Sequence, residues 1–208
     1  MAELTGYMQV NLATLVEEIG EQKVKAMLSN FHCPRNLDIE EFIRYKAIEF
    51  SKQGTAKTHL VYTSYKDKVV LIGYYALTIQ PFDIKKSANL SSNMRKRISR
   101  FAKYDDEYKL YRIPAPLIGQ LGKNFDNNYN DLITGDELLA MACKRIQDMQ
   151  KVFGGKVAFL ECEDIQGLVA FYERNRFKRF DNRNLAGRER EKAKVPYYVQ
   201  MVRYFETS

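Results

Sequence analysis

The sequence predicts an α/β (α+β) fold carried by one domain over residues 1–208, and three observations point there. Apolar residues recur at helical intervals through the first fifty positions. From Thr58 the pattern changes to runs rich in β-branched and aromatic residues. From Pro114 to Phe177 the segments alternate as strand, loop, helix, strand, helix, with no internal repeat and no Ser/Gly-rich linker.

Taken in order, Leu12, Leu15, Val16, Ile19, Val24, Met27, Leu28 and Phe31 predict a helix interrupted near Gly20. After the polar break PRNLD, a second helix presents Ile39, Phe42, Ile43, Ala47 and Phe50 on one face. Asn36 or Asp38 caps its start, and Gly54 lies past its end. THLVYTSY (58–65) and VVLIGYYALTI (69–79), separated by KDK, predict an antiparallel hairpin. Met94, Ile98 and Phe101 mark a short amphipathic helix inside the basic stretch KKSANLSSNMRKRISRFAK (85–103). YKLYRI and PLIGQLGKN are further extended pieces, and Pro114 and Pro116 exclude a helix between them. Leu138, Leu139, Ala142, Ile146 and Met149 share a face of a helix over 135–153 that ends at Gly154-Gly155. A buried strand KVAFLEC (156–162), a short helix over 164–174 and a last strand PYYVQMVRYF (196–205) complete the chain.

With 45% hydrophobic and 12% aromatic residues, the composition excludes a disordered chain. No apolar run approaches the roughly 20 residues a membrane span needs. MAELTGYMQV lacks the basic-then-apolar pattern of a leader, so a soluble cytoplasmic protein without membrane association is expected. Cys33, Cys143 and Cys162 are odd in number and widely spaced, and only His32 and His59 accompany them, so neither a disulfide framework nor a metal site is predicted. The net charge of +7 gathers in two clusters, 85–103 and 174–194, the second partly diluted by acids. Such surfaces suit solvent, and they also suit polyanions.

The segment that bears most directly on chemistry is NDLITGDELL (130–139), where a loop enters the long helix. Helix N-termini offer backbone N–H groups and a positive dipole end to a phosphate, and Gly135 permits close approach. A plainer reading competes: Thr134 and Glu137 have capping-box spacing, and Asp136 with Glu137 would repel a diphosphate.

The order of these pieces resembles the GNAT superfamily of acetyl-CoA-dependent N-acetyltransferases. PLIGQLGKN matches its splayed strand, NDLITGDELLAMA its pyrophosphate loop and helix, KVAFLEC the next strand, and AFYERNRF the helix with an A-x-x-F-Y-x-x-x-G-F motif. FHCPRNLD, EEFIRYKAIEF, THLVY, GYYAL and PAPLIGQLGKN are similar to the branch containing the acetyltransferase toxins of bacterial toxin–antitoxin systems. This chain departs from the pattern at Ile133, which replaces the first loop glycine, at Asn130 for Gln/Arg, at Arg176 for the last motif's glycine, and at Leu121-Gly122-Lys123 for L-A-V.

The resemblance implies a mostly antiparallel central sheet flanked by helices, with a splayed parallel strand pair. It implies acetyl-CoA as co-substrate and no metal. Leu121, Gly122 and Lys123 would pair with pantetheine and polarise the thioester, and Leu132, Ile133, Thr134, Gly135 and Asp136 would hold the pyrophosphate. Tyr172 would be the general acid for the departing thiolate, while Phe171 packs. The acceptor is a primary amine, with the α-amino group of an aminoacyl-tRNA among the candidates. A homodimer and an antitoxin partner are further implications of the branch. Two other readings stay open at this point: a non-catalytic GNAT-like module that binds acetyl-CoA weakly or not at all, and a nucleic-acid-binding protein argued from charge alone.

Overall fold

The structure is a computed structural model describing residues 6–193 and 195–206. The last position of the second basic cluster, Lys194, therefore lies outside the described residues, as do the first five residues of MAELTGYMQV. The chain forms two compact units. The first runs to Thr78 and resumes over Gly119–Lys144, and the second covers Ile79–Ile118 and continues from Arg145.

In the first unit, β1 (Tyr7–Asn11) pairs antiparallel with β2 (Lys57–Tyr65). β2 in turn pairs with the opening of β3 (Lys68–Lys85). Lys66 and Asp67 turn the hairpin at φ 50° and 61°, the left-handed values a two-residue hairpin requires. Asn11 caps α1 (Leu12–Ile19) by accepting from Ala13 N at 2.9 Å. Gly20, at φ 86°, breaks the helix and α2 (Glu21–Leu28) follows. Of the two expected caps of the next helix it is Asn36 that accepts from Asp38 N and Ile39 N, opening α3 (Leu37–Glu41). One wide turn over Phe42–Lys46 carries the chain into α4 (Ala47–Lys52). The apolar faces of these helices and of β2 and β3 bury Leu12, Leu28, Phe31, Ile43, Leu60 and Tyr74 together.

In the second unit, β3 continues from Ile79, followed by α5 (Ser92–Ser99), β4 (Lys103–Asp105) and the first part of β5 (Leu110–Lys123). The later part of α6 (Gly135–Phe153) leads to β6 (Val157–Cys162), α7 (Gln166–Arg174), β7 (Lys178–Asn184), α8 (Gly187–Ala193) and β8 (Tyr197–Tyr204). Phe82, Ile84, Ile98, Ile113, Phe159, Phe180 and Val202 form its core. β8 pairs antiparallel with both β6 and β7.

The eight strands of the described residues hydrogen-bond in the order β1-β2-β3-β5-β6-β8-β7, with β4 on β5. The sheet is mostly antiparallel with one parallel pair, β5 and β6, as expected. YKLYRI and PLIGQLGKN differ from expectation in being one continuous 14-residue strand. The β4 ladder ends at Arg112, so Pro114 and Pro116 sit where that edge asks for no further N–H donor. Polar segments hide four further elements among the described residues: β1, β4, β7 and α8 show no periodic apolar pattern in the sequence. No described helix is long and apolar enough to cross a membrane.

Candidate active site

The first unit carries all the residues expected to contact the cofactor. Around Gly73 and Gly122 the backbones of β3 and β5 approach closely. A Cβ on Gly73 would lie 2.9 Å from Gly122 O, and a Cβ on Gly122 would collide with Ile39 Cγ2. Ile39 is held in turn by Tyr74, whose buried hydroxyl donates to Ile39 O at 2.6 Å. Opposite Val61 and Tyr62 the register of β3 slips by one residue at Ile72, a bulge. The carbonyls around it accept from one side chain and its backbone: Asn124 N donates to Ile72 O, and Asn124 Nδ2 to Leu71 O, both at 2.8 Å. Asn124 Oδ1 accepts from His32 N at 3.0 Å and Asp126 N at 3.1 Å. A 3% exposed asparagine thus engages its backbone amide and both polar atoms of its side chain, and fixes the end of β5. Sequence reasoning passed over it, because Leu71, Ile72 and His32 lie more than 50 residues away.

Beyond Asn124 the chain turns through Asp126–Leu132, with Asn127 and Asn128 in the left-handed region at φ 48° and 59°. Lys123 Nζ donates to Asn130 O at 2.7 Å and Ile133 O at 2.9 Å, so the lysine fills the loop from inside. Burial, then the nearby Arg35 charge, lowers its pKa. Ile133 is a core residue at 2% exposure. Thr134 and Glu137 form the capping box: Glu137 Oε2 accepts from Thr134 N and Thr134 Oγ1, each at 2.7 Å, and Glu137 N donates to Thr134 Oγ1 at 3.1 Å. Tyr7, unforeseen in the sequence, shares its hydroxyl proton between Leu132 O at 3.1 Å and Glu137 Oε1 at 3.2 Å. The helical bond Leu138 N to Thr134 O follows, at 3.2 Å. The amides of Gly135 and Asp136 lie ahead of it, at the positive end of a 19-residue helix. Lys123, Leu132, Ile133, Thr134, Gly135 and Asp136 are therefore brought together. Two of the loop's amides, those of Thr134 and Glu137, are already engaged by side chains.

The second unit carries Tyr172 on α7. Its ring packs against Phe171 at 4.8 Å and edge-on to Phe177 at 6.1 Å. Its hydroxyl hydrogen-bonds no other described residue, and burial, then Cys162, pushes its pKa up, so the phenol stays protonated at neutral pH. α7 ends where Arg176 N donates to Glu173 O and Phe177 N to Tyr172 O. Arg176 adopts φ 68° there, the left-handed conformation that favours glycine. Among the described residues, no group of three His, Cys, Asp or Glu side chains is arranged to hold a metal.

No protein-family model matches the chain, and no curated protein does. Solved structures do. A tyrosine-to-phenylalanine variant of KacT superposes with TM-score 0.60 at 14% identity, covering 95% of each chain. AtaT complexed with acetyl-methionyl-tRNAfMet gives 0.60 at 15% identity over 93% of each chain. A tyrosine-to-phenylalanine variant of the AtaT toxin, bound to the C-terminus of the antitoxin AtaR and to acetyl-CoA, gives 0.56 at 14% identity over 95% of this chain and 92% of that one.

Proposed function

From the premise that the chain has the GNAT fold, in the form shared with KacT and AtaT, we propose that it is an acetyl-CoA-dependent N-acetyltransferase. One observation carries the reading. The parallel β5–β6 ladder is registered only at Leu117↔Phe159, and β5 runs on to Lys123 without further pairing to β6 among the described residues. Strand backbone left unpaired in this way is what a pantetheine arm pairs with.

In the proposed reaction the backbone of Leu121, Gly122 and Lys123 aligns the thioester, and the start of α6, through the amides of Leu132 to Asp136, takes the diphosphate. The acceptor nitrogen bonds to the carbonyl carbon and the C–S bond breaks. The Tyr172 phenol gives its proton to the leaving sulfur, while the proton shed by nitrogen passes to water and the phenol is recharged from solvent. Capture of acetyl-CoA by a tyrosine-to-phenylalanine variant of AtaT supports a tyrosine that acts after binding. For the acceptor we favour the α-amino group of an aminoacyl-tRNA, which the AtaT complex and the positive charge of this chain support. An antitoxin partner and a homodimer belong to the same proposal.

The engaged amides of Thr134 and Glu137 favour a second reading, a GNAT-fold module whose loop serves only itself. Calorimetric titration with acetyl-CoA decides between them. The enzyme reading expects binding within the roughly 1 μM–1 mM span usual for substrates. Absence of binding at about 1 mM leaves the module.

A further inference from the structure

The start of α3, Asn36-Leu37-Asp38-Ile39, sets one apolar side chain against the end of β5. Three bonds tie this helix down. Asn36 caps it, Asp38 Oδ2 accepts from Gln120 Nε2 at 3.1 Å, and Ile39 O accepts from the buried Tyr74 hydroxyl at 2.6 Å. Side chains alternate along a strand, so positions 120 and 122 share a face of β5, and α3 covers that face at both. Over Gly122 the cover is Ile39 itself. A Cβ added to Gly122 would collide with Ile39 Cγ2 and lie 3.5 Å from the Tyr74 ring. A β-branched side chain in a helix keeps one dominant χ1, and the backbone of Ile39 is anchored, so its methyl is a fixed wall.

The edge of β5 beside that wall is open. Asn124 N donates to Ile72 O of β3 at 2.8 Å, and successive backbone groups of a strand point to opposite sides. Those of Leu121 and Lys123 are thereby turned away from β3, to the edge that β5 leaves unpaired there among the described residues. A ligand extended along this edge lies about 4.8 Å from the strand, the ordinary spacing of paired strands, so a group opposite Gly122 falls within reach of Ile39.

We propose that Ile39 sets the length of the acyl group: the space opposite Gly122 takes the methyl of an acetyl thioester, and the Ile39 Cγ2 methyl refuses a butyryl or longer chain. This rests on the acyl-transfer reading, which puts the thioester on Leu121, Gly122 and Lys123. Glycine at 122 belongs to the same arrangement, because the methyl of an alanine there would drive Ile39 out of place. A shaped apolar wall separates ligands that differ by one methylene by roughly 10–200-fold, and butyryl exceeds acetyl by two.

Calorimetric titration of the intact protein with acetyl-CoA and with butyryl-CoA reads the selectivity, first in the wild type, where no variant has to fold. Acetyl-CoA is expected to bind at least about tenfold tighter. Ile39→Ala should bring the two affinities within about threefold of each other by tightening butyryl-CoA. Ile39→Val keeps both carbons on Cβ and should keep the wild-type ratio, as should Leu37→Ala on an exposed residue of the same helix. A wild type that does not discriminate, or an Ile39→Ala variant that still does, would overturn the proposal and leave the acyl-transfer reading standing. Absence of binding by either thioester at about 1 mM would overturn both. The packing is read without any ligand. Gly122→Ala should lower the melting temperature by about 3 °C or more. Made on top of Ile39→Ala it should cost nothing further, because the nearest atom of residue 39 is then its Cβ, 3.7 Å away. Equal losses in the two backgrounds would show that Ile39 does not bear on Gly122, and the proposal would fall.

Discussion

Glu137 folds back on Thr134, its Oε2 accepting from both the amide and the hydroxyl of that residue at 2.7 Å. A carboxylate thus occupies an amide that the acyl-transfer reading assigns to a diphosphate. Replacing Glu137 with Gln removes the charge and keeps the shape. Weakening the cap is expected to cost about 1 kcal/mol of stability. Relief of one like charge near the phosphates, about 1 kcal/mol at 4 Å in water, is expected to tighten acetyl-CoA binding about fivefold. Thermal melts and calorimetry measure the two effects, and unchanged affinity would remove Glu137 as a competitor. The bonds from Thr134 hold the Glu137 carboxyl below its ordinary 4.5. A depressed folded value stabilises above the unfolded pKa and is lost on acidification, so the wild-type advantage over Glu137→Gln should shrink as pH falls below 4.5.

Tyr172 is expected to act in turnover and not in binding. Tyr172→Phe keeps the ring contacts with Phe171 and Phe177 and removes only the hydroxyl, which pairs with no described residue. Turnover should fall by about tenfold or more, within the range general acids supply, with acetyl-CoA affinity retained. Single-turnover kinetics with a competent acceptor measure it. An unaltered rate would take the phenol out of the reaction.

How much of this was legible beforehand follows from where the information lies. Helix α6 was legible because Leu138, Leu139, Ala142 and Ile146 repeat on one face and Gly154, at φ 83°, ends it. The β2–β3 hairpin was legible because both strands are buried and apolar around a short polar turn. β7, KRFDNRN, was not, since only Phe180 in it is buried and its place is set by pairing with β8. The same division holds in the candidate site. Thr134 and Glu137, three residues apart, announce their box, whereas Tyr7 reaches Glu137 across 130 positions. Asn124 likewise reads as the ordinary last residue of the extended piece PLIGQLGKN until the bulge at Ile72 supplies its partners.

Tyr62 offers a test of core energetics. It is 6% exposed and its hydroxyl has no hydrogen-bond partner among the described residues. A buried polar group left unsatisfied costs about 1–3 kcal/mol, so Tyr62→Phe should raise unfolding stability by about 1 kcal/mol in urea titration. Burial also pushes its pKa up to about 12. A raised folded value leaves stability intact below the unfolded pKa near 10 and erodes it as pH climbs towards 12. Tyr62→Phe should therefore soften the alkaline loss as well. A variant less stable than wild type at neutral pH would show that the hydroxyl has found a partner.

Arg176 gives the last prediction. Its side chain is exposed, and its backbone sits at φ 68° in the turn that closes α7, between the bonds from Arg176 N to Glu173 O and Phe177 N to Tyr172 O. A side chain at that φ brings Cβ against the following carbonyl at about 1–2 kcal/mol, and glycine escapes this while losing more backbone entropy on folding. Arg176→Gly should accordingly stabilise the protein by about 0.5–1 kcal/mol. Arg176→Ala, which loses the same charge but keeps Cβ, should give no such gain. Melting both variants separates backbone strain from side-chain loss. If alanine stabilises as much as glycine, the conformational explanation fails and the arginine itself, through repulsion by neighbouring cations such as Arg174 and Lys178, is the destabilising element.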